Sequence, residues 1–225
     1  MQSDLTDRFN RVGALLLKGA ALGVMDELRA ALSRWPDGQS GTRIAGDAEL
    51  ARLLDSVGQI GSAVAGLTGK TVFPVRAVYF DKNDTNNWSL AWHQDRTLAV
   101  AARCELPGFG PWTTKQGILH VQPPFPIIAA MRTVRIHLDA VPKDNGPLLI
   151  ARGSHLLGLI EADRCREVAE SCGVTECLAD AGDIWVYHTP ILHASERSSP
   201  GQRRRVLQVD YGSDPLPAPL EWLRI

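Results

Sequence analysis

The sequence predicts an α+β protein that is mainly β, with helices first and one antiparallel β architecture after them. Three observations support this prediction. Residues 1–70 carry apolar side chains at helical spacing, whereas residues 71–212 hold short β-type runs bounded by Gly, Pro, Asn and Asp. No repeat, linker or low-complexity segment separates the two parts. We therefore expect one domain over residues 1–225, a length that fits a single large domain.

The first 70 residues contain two amphipathic patterns and one short apolar run, and we expect them to pack on the sheet. The run at 13–17 is expected to be a strand. From Val24 an apolar face recurs at helical spacing until Pro36 ends it. After a loop over 37–46, Asp47 is the expected N-cap of one second helix. Its apolar face comprises Leu50, Leu53, Leu54, Val57 and Ile60.

The remaining chain is expected to form the sheet core over residues 71–212. Its β-type runs lie at 72–80, 133–138, 148–151, 184–187 and 206–211. Residues 104–130 are rich in Pro, Gly and aromatic side chains, and we expect a loop there that closes over a site as a lid. Residues 160–172 are expected to form an inserted helix.

Composition excludes several classes of protein. The chain has 24 basic and 25 acidic side chains and a formal net charge of -1, which argues against binding nucleic acid or anionic lipid by bulk charge. No segment offers the roughly 20 uncharged apolar residues that a membrane span needs. The four cysteines form no C-x-x-C pair, so we expect reduced thiols rather than a zinc site. These features predict a cytoplasmic protein whose partner is a small molecule.

Two H-x-D triplets are candidate metal ligands, one from His93 to Asp95 and one from His137 to Asp139. Residues two apart in a strand point to the same face, so either triplet can aim an imidazole and a carboxylate at one point. One distant histidine would complete the two-His, one-carboxylate ligand set of non-haem Fe(II) oxygenases. The spacing alone leaves both triplets open.

Over most of residues 72–212 the chain resembles the phytanoyl-CoA dioxygenase family. The resemblance rests on residues 80–95, which end in W-H-Q-D, and on D-N-G-P-L at 144–148 and R-G-S-H at 152–155. Gly-Asp at 182–183, H-A-S at 193–195 and the arginines at 203–205 complete it. It implies a double-stranded β-helix (a jelly-roll, cupin-like core) that holds Fe(II), takes 2-oxoglutarate as co-substrate and uses O2.

The resemblance also implies the metal ligands. The family's W-H-x-D element falls on His93 and Asp95, which leaves His137 as a structural or pocket-lining residue. His188 and His193 are both candidates for the distal ligand. The family places its 2-oxoglutarate-binding arginine eleven positions after that ligand, which selects His193.

Three residues are expected at the co-substrate. The same spacing selects Arg204, and Ser195 falls in the family's H-x-S position. Strand alternation puts Arg204 on the opposite face from Arg203 and Arg205, where a 2-oxoglutarate carboxylate would compensate its burial. Arg76 lies on the strand near which relatives contact the co-substrate.

Four further residues, Trp88, Gln94, His120 and Gln122, are expected to contact the substrate or form part of the lid. The resemblance implies hydroxylation of a C–H bond of a small metabolite, with release of succinate and CO2. No clustered basic site for a CoA phosphate is evident, and the carboxylate ligand argues against halogenation. Two alternatives remain: a non-catalytic metal- or ligand-binding jelly-roll module, and a different metal-dependent jelly-roll enzyme that does not use 2-oxoglutarate.

Overall fold

A computed structural model describes residues 2–36 and 39–225, so residues 37 and 38 of the first expected loop lie outside the described residues. The helices are α1 (Gln2–Val12), α2 (Met25–Leu32), α3 (Ala48–Leu54), α4 (Gln59–Thr68), α5 (Phe125–Ala130) and α6 (Cys165–Cys172). The strands are β1 (Ala14–Leu17), β2 (Thr42–Ile44), β3 (Phe73–Lys82), β4 (Leu90–His93), β5 (Leu98–Ala99), β6 (Trp112–Lys115), β7 (Ile118–Val121), β8 (Arg132–His137), β9 (Leu148–Ala151), β10 (Val174–Cys177), β11 (Ile184–His188), β12 (His193–Ser195) and β13 (Arg204–Gly212). Short 3-10 turns lie at Leu22–Val24, Ser154–Leu157 and Ala162–Arg164.

Two antiparallel sheets form the jelly-roll core. The large sheet has the order β1-β11-β8-β13-β3-β2, and the small sheet has the order β10-β9-β12-β4. A third sheet, β5-β7-β6, packs beside them on an apolar cluster that includes Val75, Ile128 and Trp222. Neighbours in the sheets come from distant parts of the chain, which confirms the predicted antiparallel jelly-roll class.

The two faces of the large sheet differ in chemistry. Along β13, Leu207 and Val209 belong to the main apolar core, where the helices of the N-terminal part pack. The alternate residues Arg204, Gln208 and Asp210 are buried and polar, and they face the other way. Strand alternation therefore places the helices on one face of the sheet and a polar interior on the other.

The N-terminal helices differ from the prediction in number. Asp47 does cap a helix, since its carboxylate accepts a hydrogen bond from the Leu50 N–H at 3.0 Å. The single helix expected after it is wrong, because the Asp55 carboxylate accepts from the Val57 N–H and forms a turn that separates α3 from α4. Val57, expected on the apolar face, is 90% exposed in this turn. Helix α1 was not predicted.

A hairpin replaces part of the expected lid loop at 104–130. The structure places β6, β7 and α5 in this segment, so the expected loop is confined to residues 104–111 and to the short links between these elements. Gln116 and Gly117 form the two-residue turn with φ of 50° and 78°, the backbone that a tight hairpin turn requires. The inserted helix near 160–172 is confirmed as α6.

Within the described residues, no helix is both long enough and apolar enough to cross a membrane.

Candidate metal centre and co-substrate pocket

Three side chains converge between the two sheets. His93 ends β4 and is the cross-strand partner of His193, which begins β12. Their ring centroids lie 4.3 Å apart. One ligand atom each from His93, Asp95 and His193 lies within 4.8 Å of the other two. The structure therefore brings together the W-H-x-D pair and the histidine that the family's arginine spacing selects.

Hydrogen bonds set the tautomer of both histidines. Nδ1 of His93 lies 2.7 Å from the Ala91 carbonyl oxygen, and Nδ1 of His193 lies 3.0 Å from that of Ile191. A carbonyl oxygen only accepts, so each Nδ1 carries a proton, and Nε2 is the ring nitrogen that points away from the backbone and can bind a metal. Burial, followed by the charge of His93, lowers the pKa of His193 to about 4, which keeps it neutral. Two Nε2 atoms and a carboxylate form a donor set that suits Fe(II).

Side chains of the large sheet bind the carboxylate of Asp95. Its Oδ2 accepts from Nη2 of Arg76 at 3.3 Å and from Nε2 of Gln208 at 3.2 Å. Arg76 also forms a 2.6 Å ion pair with the buried Asp210. Burial by itself would raise the pKa of Asp95, but the charge of the adjacent Arg76 holds it well below its usual range. Arg76, expected at the co-substrate, therefore positions the aspartate in this structure.

The second H-x-D triplet does not converge. Asp139 faces away and accepts from Arg205, with an ion pair of 2.6 Å. His137 is buried in the interior, and both its ring nitrogens lack a partner among the described residues. Burial, then the charges of Arg135 and Arg204, lower its pKa to about 3. His137 is thus a neutral side chain of the interior, separate from the metal candidate.

The other candidate for the distal histidine lies in a different cluster. His188 stacks on Phe9 of α1, with ring centroids 4.7 Å apart, and lies 4.2 Å from the ring of His155. It therefore contributes to packing between α1 and the sheet rather than to the triad.

A cationic cluster lies beside the triad. Lys82, Arg135 and Arg204 are buried, and within the described residues none of them forms an ion pair with a carboxylate. Burial, then its cationic neighbours, lowers the pKa of Lys82 to about 7, and burial followed by Arg135 lowers that of Arg204 to about 9. Nζ of Lys82 lies 3.4 Å from Oγ of Ser195. Buried cations without an anion are costly, so this cluster fits a bound dicarboxylate.

The arginine run alternates as expected. Arg204 is 3% exposed, and its Nη1 donates to the Gly146 carbonyl oxygen. On the other face, Arg203 forms a two-pronged ion pair with Asp81, and Arg205 does the same with Asp139. Only Arg204 of the three thus belongs to the interior.

A cavity of about 540 Å³ opens over the triad, lined by His93, Asp95 and His193 and by both sheets. A smaller cavity of about 240 Å³ adjoins it and shares Gln94, Asp95 and Arg96. The smaller cavity is mainly apolar, with Pro124, Phe125, Ile128 and Leu159 in its walls, and it also contains Gln122. Gln122 therefore lines a cavity that also reaches Asp95 of the triad.

The other three expected substrate residues have structural contacts. Trp88 packs on Phe80 and under Nζ of Lys82, 4.9 Å from its ring centroid. The Gln94 side chain is bound by backbone: its Nε2 donates to the Gly158 and Pro190 carbonyls, and its Oε1 accepts from the Ile160 N–H. His120 is fully buried inside the hairpin. These contacts hold the walls of the site in place.

Three interior residues were missed in the sequence: Lys82, Arg135 and Gln208. Strand alternation was the one signal in the sequence that could have found them. Each lies on the same strand face as a residue named in the sequence analysis: Lys82 with Arg76, Arg135 with His137, and Gln208 with Arg204. Which of these faces is interior follows from strand pairing, and that pairing is not visible in the sequence.

The comparisons with known proteins agree with this geometry. The family model described as phytanoyl-CoA dioxygenase (PhyH) matches residues 43–206, well over half of the chain. The chain belongs to the phytanoyl-CoA dioxygenase family. Enzymes of this family depend on iron and 2-oxoglutarate, and the triad and the buried cations fit these two groups. No curated protein matches the sequence significantly.

Solved structures share the fold of this family member at low sequence identity. The alpha ketoglutarate dependent epimerase SnoN from nogalamycin biosynthesis has a TM-score of 0.69 and 19% identity, over 94% of this chain and 80% of its own. AviO1 from Streptomyces viridochromogenes Tue57 has a TM-score of 0.65 and 19% identity, over 96% of this chain and 98% of its own. EctD from S. alaskensis, solved with 2-oxoglutarate and 5-hydroxyectoine, has a TM-score of 0.65 and 13% identity, over 95% and 76%.

Proposed function

We propose that this protein is an Fe(II)- and 2-oxoglutarate-dependent dioxygenase that hydroxylates a C–H bond of a small-molecule metabolite. One observation supports this most strongly: two imidazole Nε2 atoms and a carboxylate converge next to buried cations that have no acidic partner among the described residues. Iron and 2-oxoglutarate supply the oxidative chemistry, in which the keto acid and O2 yield succinate and CO2 and the second oxygen atom enters the C–H bond.

In this proposal one set of residues positions the metal ligands and another set binds the co-substrate. Arg76 and Gln208 hold the carboxylate of Asp95 through Oδ2, and the carbonyls of Ala91 and Ile191 fix the two imidazole rings, so that Asp95, His93 and His193 would hold the metal. Arg204, Lys82 and Arg135 would hold the far carboxylate of 2-oxoglutarate, with Ser195 alongside.

The two cavities suit a small substrate. The C–H bond to be oxidised must lie within reach of the triad, and the apolar cavity ends at Asp95. The β6–β7 hairpin covers the larger cavity through Lys115 and Gln116, which limits the access of water to the oxidant. Such an enclosure favours transfer of oxygen to a bound C–H bond.

An anaerobic titration with Fe(II), in the presence and absence of 2-oxoglutarate, tests the proposal. We expect a visible charge-transfer band only when both are present. The His193→Ala variant should lose the band, whereas the control His188→Ala should keep it, because His188 packs on α1 instead. A band that persists in His193→Ala, or no band in the unmodified protein, contradicts the proposal.

The outcome of turnover is tested separately. Once a metabolite stimulates succinate release, a hydroxylase yields a product heavier by one oxygen atom. A product of unchanged mass indicates epimerisation, and a product lighter by two hydrogen atoms indicates ring closure or desaturation. Either result would retain the cofactors and reject hydroxylation.

A further inference from the structure

The cavity over the triad has an excess of positive charge. Five basic side chains line it, against the single carboxylate of Asp95; they are Arg43, Arg76, Arg96, Lys115 and Arg135. Arg76 is neutralised by Asp95 and Asp210. The proposed role of 2-oxoglutarate uses the cations at the Arg135 end. Arg43 and Lys115 are not used by it.

Strand register separates the two ends of the cavity. Arg43 on β2 pairs with Val78 on β3, which pairs with Gln208 on β13, which pairs with Arg135 on β8. Three strand spacings put the backbones of Arg43 and Arg135 roughly 14 Å apart. Gln208 lies between them and bonds Asp95, so the triad stands between two cationic ends.

Lys115 is held next to Arg43 by the hairpin turn. Oε1 of Gln116 accepts from the Arg43 N–H at 2.8 Å, and its Nε2 donates to the Gly41 carbonyl at 2.8 Å. Within the described residues, Arg43 and Lys115 have no ion pair with a carboxylate, and Nε of Arg43 is buried without a hydrogen-bond partner. Burial lowers the pKa of both side chains; the charge of Arg76 lowers that of Arg43 further, and the charge of Arg43 lowers that of Lys115 further. A buried guanidinium nitrogen without a hydrogen-bond partner is costly, and a bound anion would satisfy it.

We propose that Arg43 and Lys115 form an anion-binding subsite that takes a carboxylate or phosphate group of the substrate. This inference rests on the proposed function, since it places that group across the triad from 2-oxoglutarate. The C–H bond to be oxidised then lies between the anchored anion and the apolar cavity.

Isothermal titration with sulfate, at constant ionic strength set by chloride, tests the subsite in protein loaded anaerobically with ferrous chloride and 2-oxoglutarate. We expect saturable binding that weakens about tenfold to hundredfold in Arg43→Gln, because a charge-assisted contact is lost. Lys115→Gln should weaken it about threefold, as expected for an exposed charge. Arg166→Gln, which removes an exposed arginine of α6, is the matched control and should bind sulfate normally.

Acetate titrated in the same way distinguishes the two anion classes: tighter acetate binding indicates a carboxylate, and tighter sulfate binding indicates a phosphate. The inference is overturned if the unmodified protein shows no saturable binding of either anion, or if Arg43→Gln binds both normally. It is also overturned if sulfate displaces 2-oxoglutarate and abolishes the charge-transfer band, since the anion then occupies the Arg135 end. Failure of the band itself concerns only the proposed function, because heat of sulfate binding is measured independently of it.

Discussion

The pKa of Lys82 links co-substrate binding to pH. Its side chain is fully buried, and burial, then Arg204 and Arg135, lowers its pKa from 10.5 to about 7. A dicarboxylate bound beside the ammonium group favours the charged form and raises this pKa again. Between pH 7 and the raised value, binding therefore takes up a proton, so affinity for 2-oxoglutarate falls as pH rises. Below pH 7 Lys82 is already charged, so it no longer makes the affinity for 2-oxoglutarate depend on pH.

The magnitude follows from the shift. Above pH 7, binding of 2-oxoglutarate requires that the neutral amine of Lys82 take up a proton. For each pH unit above 7 this costs about 1.4 kcal/mol, which lowers the affinity about tenfold. With a pKa of about 7 in the free protein, the dissociation constant for 2-oxoglutarate should increase about 30-fold from pH 6 to pH 8.5. Arg204, with a pKa of about 9, stays mostly protonated over this range, so Lys82 contributes most of the titration within the cluster.

The charge-transfer band under anaerobic conditions measures this affinity at each pH. Lys82→Met is the matched variant, because methionine fills a similar volume and cannot be protonated. It should bind 2-oxoglutarate more weakly at pH 6, and its affinity should vary much less with pH. Equal slopes in the two proteins would refute the reasoning, since the proton would then be taken up elsewhere.

Three further predictions concern the ligands, the co-substrate arginine and the core. His93→Ala should lose stoichiometric iron, measured by metal analysis after desalting, whereas His137→Ala should retain it; the reverse result would assign the metal to the other triplet. Arg204→Lys should raise the 2-oxoglutarate concentration for half-maximal succinate release about 10- to 100-fold, because a two-pronged charged contact is lost. Arg203→Lys should change it little, and a comparable effect would contradict the assignment of faces. Tyr211→Phe should lower the free energy of unfolding by about 1–3 kcal/mol, because it removes a buried 2.8 Å hydrogen bond to a carbonyl of α3. Urea denaturation measures this loss, and an unchanged midpoint would show that the hydroxyl is dispensable.

Local patterns predicted the elements whose apolar side chains face the core. The alternation of 206–211 and of 133–138 marked strands, because every second residue there packs against the helices. Helix α1 was not predicted because it has too few buried apolar residues to give a helical pattern. Among the residues of α1 whose burial is described, only Phe9 is buried, and its neighbours in sequence are charged or polar. Strand β4 escaped for a similar reason, since Leu90 and Ala91 are exposed.

The hairpin carried a signal that was overlooked. Gln116-Gly117 stands between two short β-type runs, and a glycine at the second position of a two-residue turn is typical of hairpins. The many Pro and Gly residues upstream of it suggested an irregular loop instead.

The candidate site, like the fold, could be predicted from the sequence only in part. The triad could be predicted because two of its members lie two residues apart and the third has a fixed spacing from Arg204 in the resembled family. The subsite of Arg43 and Lys115 could not, because 72 positions separate them in sequence and only the pairing of β2 and the docking of the hairpin bring them together. Net charge near zero also concealed it, since the positive charge is local.

The contact of Gln116 with β2 has a consequence for solubility. β2 is an edge strand of the large sheet, and an exposed edge offers free N–H and C=O groups to which a strand of another molecule can add. The side-chain amide of Gln116 occupies one of each, on Arg43 and Gly41, as a neighbouring peptide group would. The hairpin turn thereby protects this edge against intermolecular strand addition, and a variant with a shortened hairpin should aggregate more readily.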